Sequence, residues 1–514
     1  MNLFTLMITT KSKLYFFVLF FVIISISFFA VSCDDFLSSQ PANFISSTEF
    51  FENEEQVDQT VIAAYAKLQD MYNNQWKFSE VRSDNTINQY NSSNFGHHPT
   101  WLIDEFVMSP SNQNLAPYWQ DVYQGIQRAN LVINNIEQVE FSSGDLKNQL
   151  MGEAKFLRSL YYFSLVRLFG GVPLVLDQVR SPDQAFSTLE ERASTEQVYN
   201  QIITDASDAA ELLPESYSNE NKGRATEGAA RTLLADVYMT RQNFSSAAEE
   251  LEIIMNLGYG LLPDYSDIYD PANKNNQESI FAVNYAELET NVGLGNSFIY
   301  SFAPHNSGSE ITGDNAGTPA GLNIPTRDML EAYESGDERK EASIGFYVDP
   351  GNGQHGIAIG DTLLYVKKVD HPHSVRGATN GNWPVYRYAH VLLMMAETIN
   401  EVDGPISEAY GYINQVRQRA GLDPLATGLS QSEFREAIYQ EQRVELAFEN
   451  HRWFNLLRTG RAIETMMQHG EEVKDLQPHF TSQPVYIIED FKLIYPIPER
   501  EINLNPHIQQ NPGW

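Results

Sequence analysis

Apolar positions recur at three- and four-residue steps along several stretches of this chain, the spacing that lines one face of a helix. In "EAKFLRSLYYFSLVRLFGGVPL" (Glu153–Leu174), Leu157, Leu160, Tyr161, Ser164, Leu165 and Leu168 make one such stripe. Gly170, Gly171 and Pro173 then stop it, since glycine admits a left-handed cap and proline cannot continue the backbone bonding. "YWQDVYQGIQRANLVINNI" (Tyr118–Ile136) carries the same period through Trp119, Val122, Tyr123, Ile126, Ala129 and Ile133. These two stretches predict an antiparallel helix pair.

A more specific pattern lies in "RTLLADVYMTRQNFSSAAEELEIIM" (Arg231–Met255). Leu234, Ala235, Tyr238, Ala247, Leu251 and Ile254 fall at the large, small, aromatic, then small and large offsets of a tetratricopeptide (TPR) unit. Alanines at 235 and 247 let two helices approach closely, and Tyr238 fills the space beside them. A looser copy runs from Arg387 to Leu422, through Ala396, Ile399, Ala409 and Ile413, with Gly404-Pro405 in its turn. Such pairs cannot bury their apolar faces alone and must stack. The predicted fold is mainly α: a TPR-like scaffold of about four helix pairs.

Helical period fails elsewhere. Residues 75–117 hold turn residues and aromatics. Residues 261–384 are rich in Gly, Asn, Pro and Asp, with short extended runs such as "SIFAVNY" and "TLLYVKKV". The expected organisation is a leader at 1–32, a helical region at 33–260, an irregular lobe at 261–384, and a helical region with an extended tail at 385–514.

Charge excludes one class of partner. With 67 acids against 34 bases the net charge is −33, so clustered phosphate neutralisation, and hence nucleic-acid binding, is not expected. A single cysteine rules out an internal disulfide and a cysteine-based zinc site. Its position is informative. Lys11 and Lys13 precede an uncharged run, Leu14–Val31, and small residues lead to Cys33. A basic start, an apolar core and small residues before a cut describe a secretory signal, and Cys33 directly after them resembles a lipobox, cleaved before the cysteine and acylated on it. Acyl chains contribute roughly 0.8 kcal/mol per buried CH₂, so two or more anchor stably.

No metalloprotease, nucleophile-elbow, P-loop or EF-hand motif is present. Gly351–Gly356 spells GxGxxG, but it follows Asp349-Pro350 rather than a strand and reads as a glycine-rich turn. His97-His98 reads as a solvated loop rather than a metal pair. The abundant Asp and Asn residues permit a structural calcium without specifying it; no other cofactor is implied. More informative are aromatics on the irregular segments: Trp76, Tyr90, Phe95, Trp101 and Trp383. Flat rings stack on the C–H faces of sugars, and Arg82, Asp84, Asn85 and Asn88 could hydrogen-bond hydroxyls. The candidate ligand residues are therefore Trp76, Arg82, Asp84, Asn85, Tyr90, Trp101 and Trp383, with Cys33 as the lipid site.

"SCDDFL" at Ser32–Leu37, Trp119-x-x-x-Tyr123 with Asn130, "AKFLRSLYYFSLVRLFGGVPL", "GRATEGAARTLLADVY", "EQRVELAFENHRWFNLLRTGR" (Glu441–Arg461) and the terminal "LIYPIPEREINLNPHIQQNPGW" (Leu493–Trp514) appear in one order along nearly all of the mature chain. Together they resemble the SusD/RagB family of outer-membrane lipoproteins of the Bacteroidetes. The resemblance implies a non-enzymatic, surface-exposed, lipid-anchored lid on a SusC-like TonB-dependent transporter, capturing oligosaccharides or, with a RagA-like transporter, peptides. Family ligand residues fall in the irregular segments and vary with substrate, so only their location carries over. Arg158, Arg167, Arg452, Arg458, His451 and Trp453 read as helix-tying and core residues. Burial of Trp76, Trp101 and Trp383 together would favour a peptide ligand; turnover of an oligosaccharide would mark a hydrolase.

Overall fold

The structure is a computed structural model and describes residues 51–89, 95–178, 191–287, 295–305, 307–313, 318–348, 362–476 and 485–514. Residues 53–514 form one compact unit.

Four helix pairs stack in chain order: α1 (Glu54–Ser79) with α2 (Leu115–Asn135), α3 (Gly144–Phe169) with α4 (Thr195–Leu212), α5 (Glu227–Thr240) with α6 (Phe244–Ile254), and α7 (Tyr388–Asp403) with α8 (Ser407–Arg419). Each pair also packs on the next, and α9 (Gln431–Glu445) closes against α7. The chain then continues through α10 (Arg452–Arg458) and α11 (Ala462–Leu476). The expected TPR-like scaffold is present. Ala235, Ala247, Ala396 and Ala409 are fully buried where the helices meet, and α3 ends at Phe169 with Gly170 at φ 71°. The pairing expected between Tyr118–Ile136 and Glu153–Leu174 is present as α2 on α3, and α1 packs on α2 as well.

Helix ends follow local chemistry. Asn53 caps α1 and Ser143 caps α3, each accepting from a backbone N–H of the first turn. Ser194 and Ser430 close full capping boxes on Gln197 and Glu433.

The segment between α6 and α7 is irregular. Its strands pair as short antiparallel ribbons: β1 (Thr86–Ile87) with β3 (Ile324–Pro325), β2 (Ser279–Val283) with β6 (Trp383–Arg387), and β4 (Ile344–Val348) with β5 (Thr362–Val366). A buried ion network fastens this lobe to the helices. Arg387 bonds Glu278 at 3.2 Å and Glu449 at 2.8 Å and also pairs with Glu445. Arg339 joins Asp337, Glu441 and Glu445, and Lys368 donates to Glu449 at 2.7 Å. Burial opposes the charge on Glu445, yet Arg419, Arg387 and Arg339 hold its carboxyl well below the usual range. Among the described residues no helix is long and apolar enough to cross a membrane.

Candidate functional site

The three tryptophans expected on irregular segments lie in regular elements instead, Trp76 and Trp101 on helices and Trp383 on a strand. Trp76 lies in the last turn of α1 with 2% of its surface exposed; its ring meets Phe302 edge-on at 4.9 Å and its Nε1 donates to the Asn73 carbonyl. Trp383 lies on β6 at 2% exposure, 4.6 Å from Phe298 and 6.5 Å from Tyr72. Trp101, on the short helix His98–Asp104, is 6% exposed against His98. All three rings are packed inside, where no sugar face can reach them.

The polar candidates are engaged as well. The Arg82 guanidinium lies 3.6 Å from the Phe106 ring and donates to the carbonyls of Ile103 and Lys492. Asn85 donates to Glu80 and accepts from Arg443. Asn88 donates to Asp104. These groups seal α1 and its following turn against the C-terminal helices, a structural task. Asp84 alone borders open space. It takes two bonds from Arg452, both 2.7 Å, and lies 3.0 Å from Arg443. Burial works against its charge, but the two guanidiniums keep its carboxyl ionised far below the ordinary range. Cys33 and Tyr90 lie outside the described residues, as do Gly351–Gly356 and the side chain of Phe95.

The surface offers a ligand more than one opening. One is a polar cleft of about 380 Å³ lined by Asp84, Asp328, Arg443, Arg452, Arg461 and Glu464. Its charges are nearly balanced: Asp328 pairs with Arg443 at 2.5 Å, and His469 at its wall is drawn down to about 4 by burial.

A group of polar and aromatic side chains lies on the irregular segments. Lys77 follows Trp76 at the end of α1. Phe302, against Trp76, leads within three residues to His305, whose backbone N–H donates to Gln89 Oε1 at 2.7 Å. Tyr300, two residues before Phe302, donates its hydroxyl to the His373 carbonyl at 2.8 Å. That bond sets Tyr300 beneath the exposed Arg376, whose guanidinium is 5.3 Å from the ring centre. Burial lowers the pKa of His97, and the neighbouring His305, Arg376 and Lys77 act in the same direction. Of these groups the sequence reading touched only His97. The others come together from positions 77, 305 and 376 by tertiary contact, which no local pattern announces. Among the described residues no group of three or more His, Cys, Asp or Glu is arranged to hold a metal ion.

Stacked helix pairs with an irregular lobe and loop-borne polar groups define a TPR-like helical-repeat protein. The family model "SusD family" matches residues 360–514, and "Starch-binding associating with outer membrane" matches residues 35–239. SusD-like protein P25 of Formosa agariphila is 28% identical over 541 residues, covering 94% of this chain and 96% of its own. Starch-binding protein SusD of Bacteroides thetaiotaomicron is 23% identical, covering 70% and 72%. The solved structure of a laminarin-binding SusD-like protein superposes with a TM-score of 0.74 at 27% identity, over 90% of this chain and all of that one. The chain belongs to the SusD/RagB family.

Proposed function

We propose that this protein binds a glycan at the outer membrane and delivers it to a SusC-like TonB-dependent transporter, held at the cell surface by acyl chains on Cys33. The observation that carries the reading is the likeness to a laminarin-binding protein of the same fold along nearly the whole of both chains. The matched description of outer-membrane association supports the location, and the small residues before Cys33 support the anchor. On this reading the protein does no chemistry: the ligand is held by hydroxyl hydrogen bonds and ring contacts and released intact. Affinity should be micromolar or weaker, because a lid that never let go could not feed a transporter.

Calorimetric titration of the mature chain with laminarin and starch oligosaccharides tests the binding. Analysis of the same mixtures after overnight incubation should show unaltered oligosaccharide. Metabolic labelling with a palmitate analogue should mark the wild type and leave Cys33→Ala unmarked. Co-purification from membranes should recover a TonB-dependent transporter.

A second reading has an observation of its own. Trp76, Trp101 and Trp383 are all buried, and the cleft beside Asp84 presents both signs of charge, as a peptide ligand would require. Peptide titrations that saturate while oligosaccharides give no heat would establish it.

A further inference from the structure

With Trp76, Trp101 and Trp383 packed inside, ring contacts to a ligand must come from other positions, and two neighbouring clefts supply them. The first, of about 220 Å³, is lined by Tyr217 and Tyr259 with Ser216, Asn275, Gln277 and Ser279. The second, of about 360 Å³, is lined by Ile62, Tyr65 and Gln69 of α1 and by Asn284. The two share Lys222, Gly223, Arg224 and Ala282 as a common wall, so one ligand can occupy both. Together they fall in the size class of small-ligand clefts, roughly 300–1,000 Å³.

The rings are held in place and yet stay partly open. Tyr217, half-buried, donates its hydroxyl to Glu153 at 3.3 Å. Tyr259 bonds Thr226 at 2.9 Å and lies against Gly228, where a Cβ would be 2.5 Å from its hydroxyl oxygen. Tyr65 accepts from the Ala225 N–H at 2.8 Å. Arg224 reaches the same Glu153 at 3.2 Å and Asp58 at 2.7 Å. One buried carboxylate therefore sets both a ring of the first cleft and the wall between the two. Gly223, at φ 100°, lies so close to Asn284 that a Cβ would be 2.6 Å from its Nδ2. No side chain rises at that point of the wall to divide a ligand.

The polar groups of the walls are mostly neutral. Asn275 donates Nδ2 to Asn284 at 2.9 Å, and Gln277 donates Nε2 to the Leu261 carbonyl at 3.1 Å. Among the described residues this leaves Asn275 Oδ1, Gln277 Oε1 and the hydroxyls of Ser216 and Ser279 uncommitted. Arg224 is neutralised by its two carboxylates, and Glu215, Glu220 and Lys222 are exposed. Partly open rings beside amides and hydroxyls match the C–H faces and hydroxyl groups of a sugar. An ionic substituent would meet no uncompensated buried charge here among the described residues.

We propose that the paired clefts form one carbohydrate site, where a neutral oligosaccharide lies across Gly223 with one sugar against Tyr217 and Tyr259 and the next toward Tyr65. This rests on the glycan-binding reading above and adds the place of the glycan and its lack of charge.

The test is calorimetry on the mature chain, with laminarihexaose and maltohexaose as neutral probes and polygalacturonate oligomers as the acidic contrast. The wild type should bind at least one neutral probe more tightly than the acidic one. Tyr217→Ala should lose about tenfold in affinity for that probe, and Tyr217→Phe, which keeps the ring and drops only the bond to Glu153, should recover most of the loss. Gln277→Ala, at an exposed position that should leave the Tm unchanged, should lose about threefold. Equal losses in Tyr217→Ala and Tyr217→Phe would give the tyrosine a purely structural task and overturn the site. Full affinity in both Tyr217→Ala and Gln277→Ala would overturn the site and leave glycan binding standing. A preference for polygalacturonate would overturn the assignment to a neutral ligand. Failure of the wild type to bind any probe would overturn both the site and the reading beneath it.

Discussion

Trp383 shows how a single residue can mislead and then inform. Its neighbours Gly381, Asn382 and Pro384 are loop formers, and a large ring among them looks like a ligand platform. The ring is instead covered by Phe298 and Tyr72, from 85 and 311 positions away in sequence. Nothing near position 383 announces these partners, so the ring was legible and its burial was not. The arginines were easier to read. Arg158 stands among apolar helix residues, where an unpaired charge could not be tolerated, and it forms a two-pronged bond with Asp205, 2.8 and 2.7 Å, plus one to Asn130. Two outcomes follow at this scale. Trp383→Ala should destabilise the fold by about 3–5 kcal/mol, read as a lower Tm in thermal unfolding. Arg158→Met should cost a similar amount, about 3–5 kcal/mol, because it leaves Asp205 buried and uncompensated; adding Asp205→Asn should restore part of the loss.

At the scale of elements, the helices with the densest apolar stripes were legible and α1 was not. Val57, Val61, Ala64, Leu68 and Met71 do follow a helical period, but Gln, Asp and Asn fill the intervening positions and dilute the pattern. Its identity as a helix comes from α2 and α3 closing over it. Their approach depends on Gly125 of α2. A Cβ there would lie 2.3 Å from the ring of Tyr161, whose hydroxyl donates to the Ala64 carbonyl of α1. Gly125→Ala should therefore pry three helices apart and destabilise by about 1–3 kcal/mol, seen as a lower denaturant midpoint.

The C-terminal helices carry a pH dependence. Burial draws His451 (between α9 and α10) and His469 (in α11) down from 6.5 to about 4 and His390 of α7 well below its ordinary value. The folded state thus holds these rings neutral where the unfolded chain would protonate them. Their stabilisation is complete above pH 6.5 and is lost as pH falls toward 4, on the order of 3 kcal/mol each for His451 and His469. The depressed carboxyls of Glu445 and Glu449 continue the trend below pH 4.5. Burial raises Glu80 and Asp104 to about 7 and Glu105 to about 8, and these groups gain stability over the same fall in pH, so the histidine share is read by difference: replacing His469 with glutamine should remove part of the loss of Tm between pH 6.5 and pH 4.

At the scale of the molecule, four helix pairs and a C-terminal cap hold an irregular lobe through a buried ion network, and the lobe sets Phe302 against Trp76 in the last turn of α1. The overall plan was readable because helix stacking repeats a short-range pattern. The site was not, because its groups meet only through contacts between distant segments. On the reading proposed above, this arrangement captures a glycan and leaves it intact. The most direct test of that reading is calorimetric titration of the mature chain with a panel of laminarin and starch oligosaccharides, followed by product analysis of the same samples. Saturable micromolar binding to at least one oligosaccharide with no change in its chain length is the predicted result. Absence of binding across the panel, or shortened products, would contradict it.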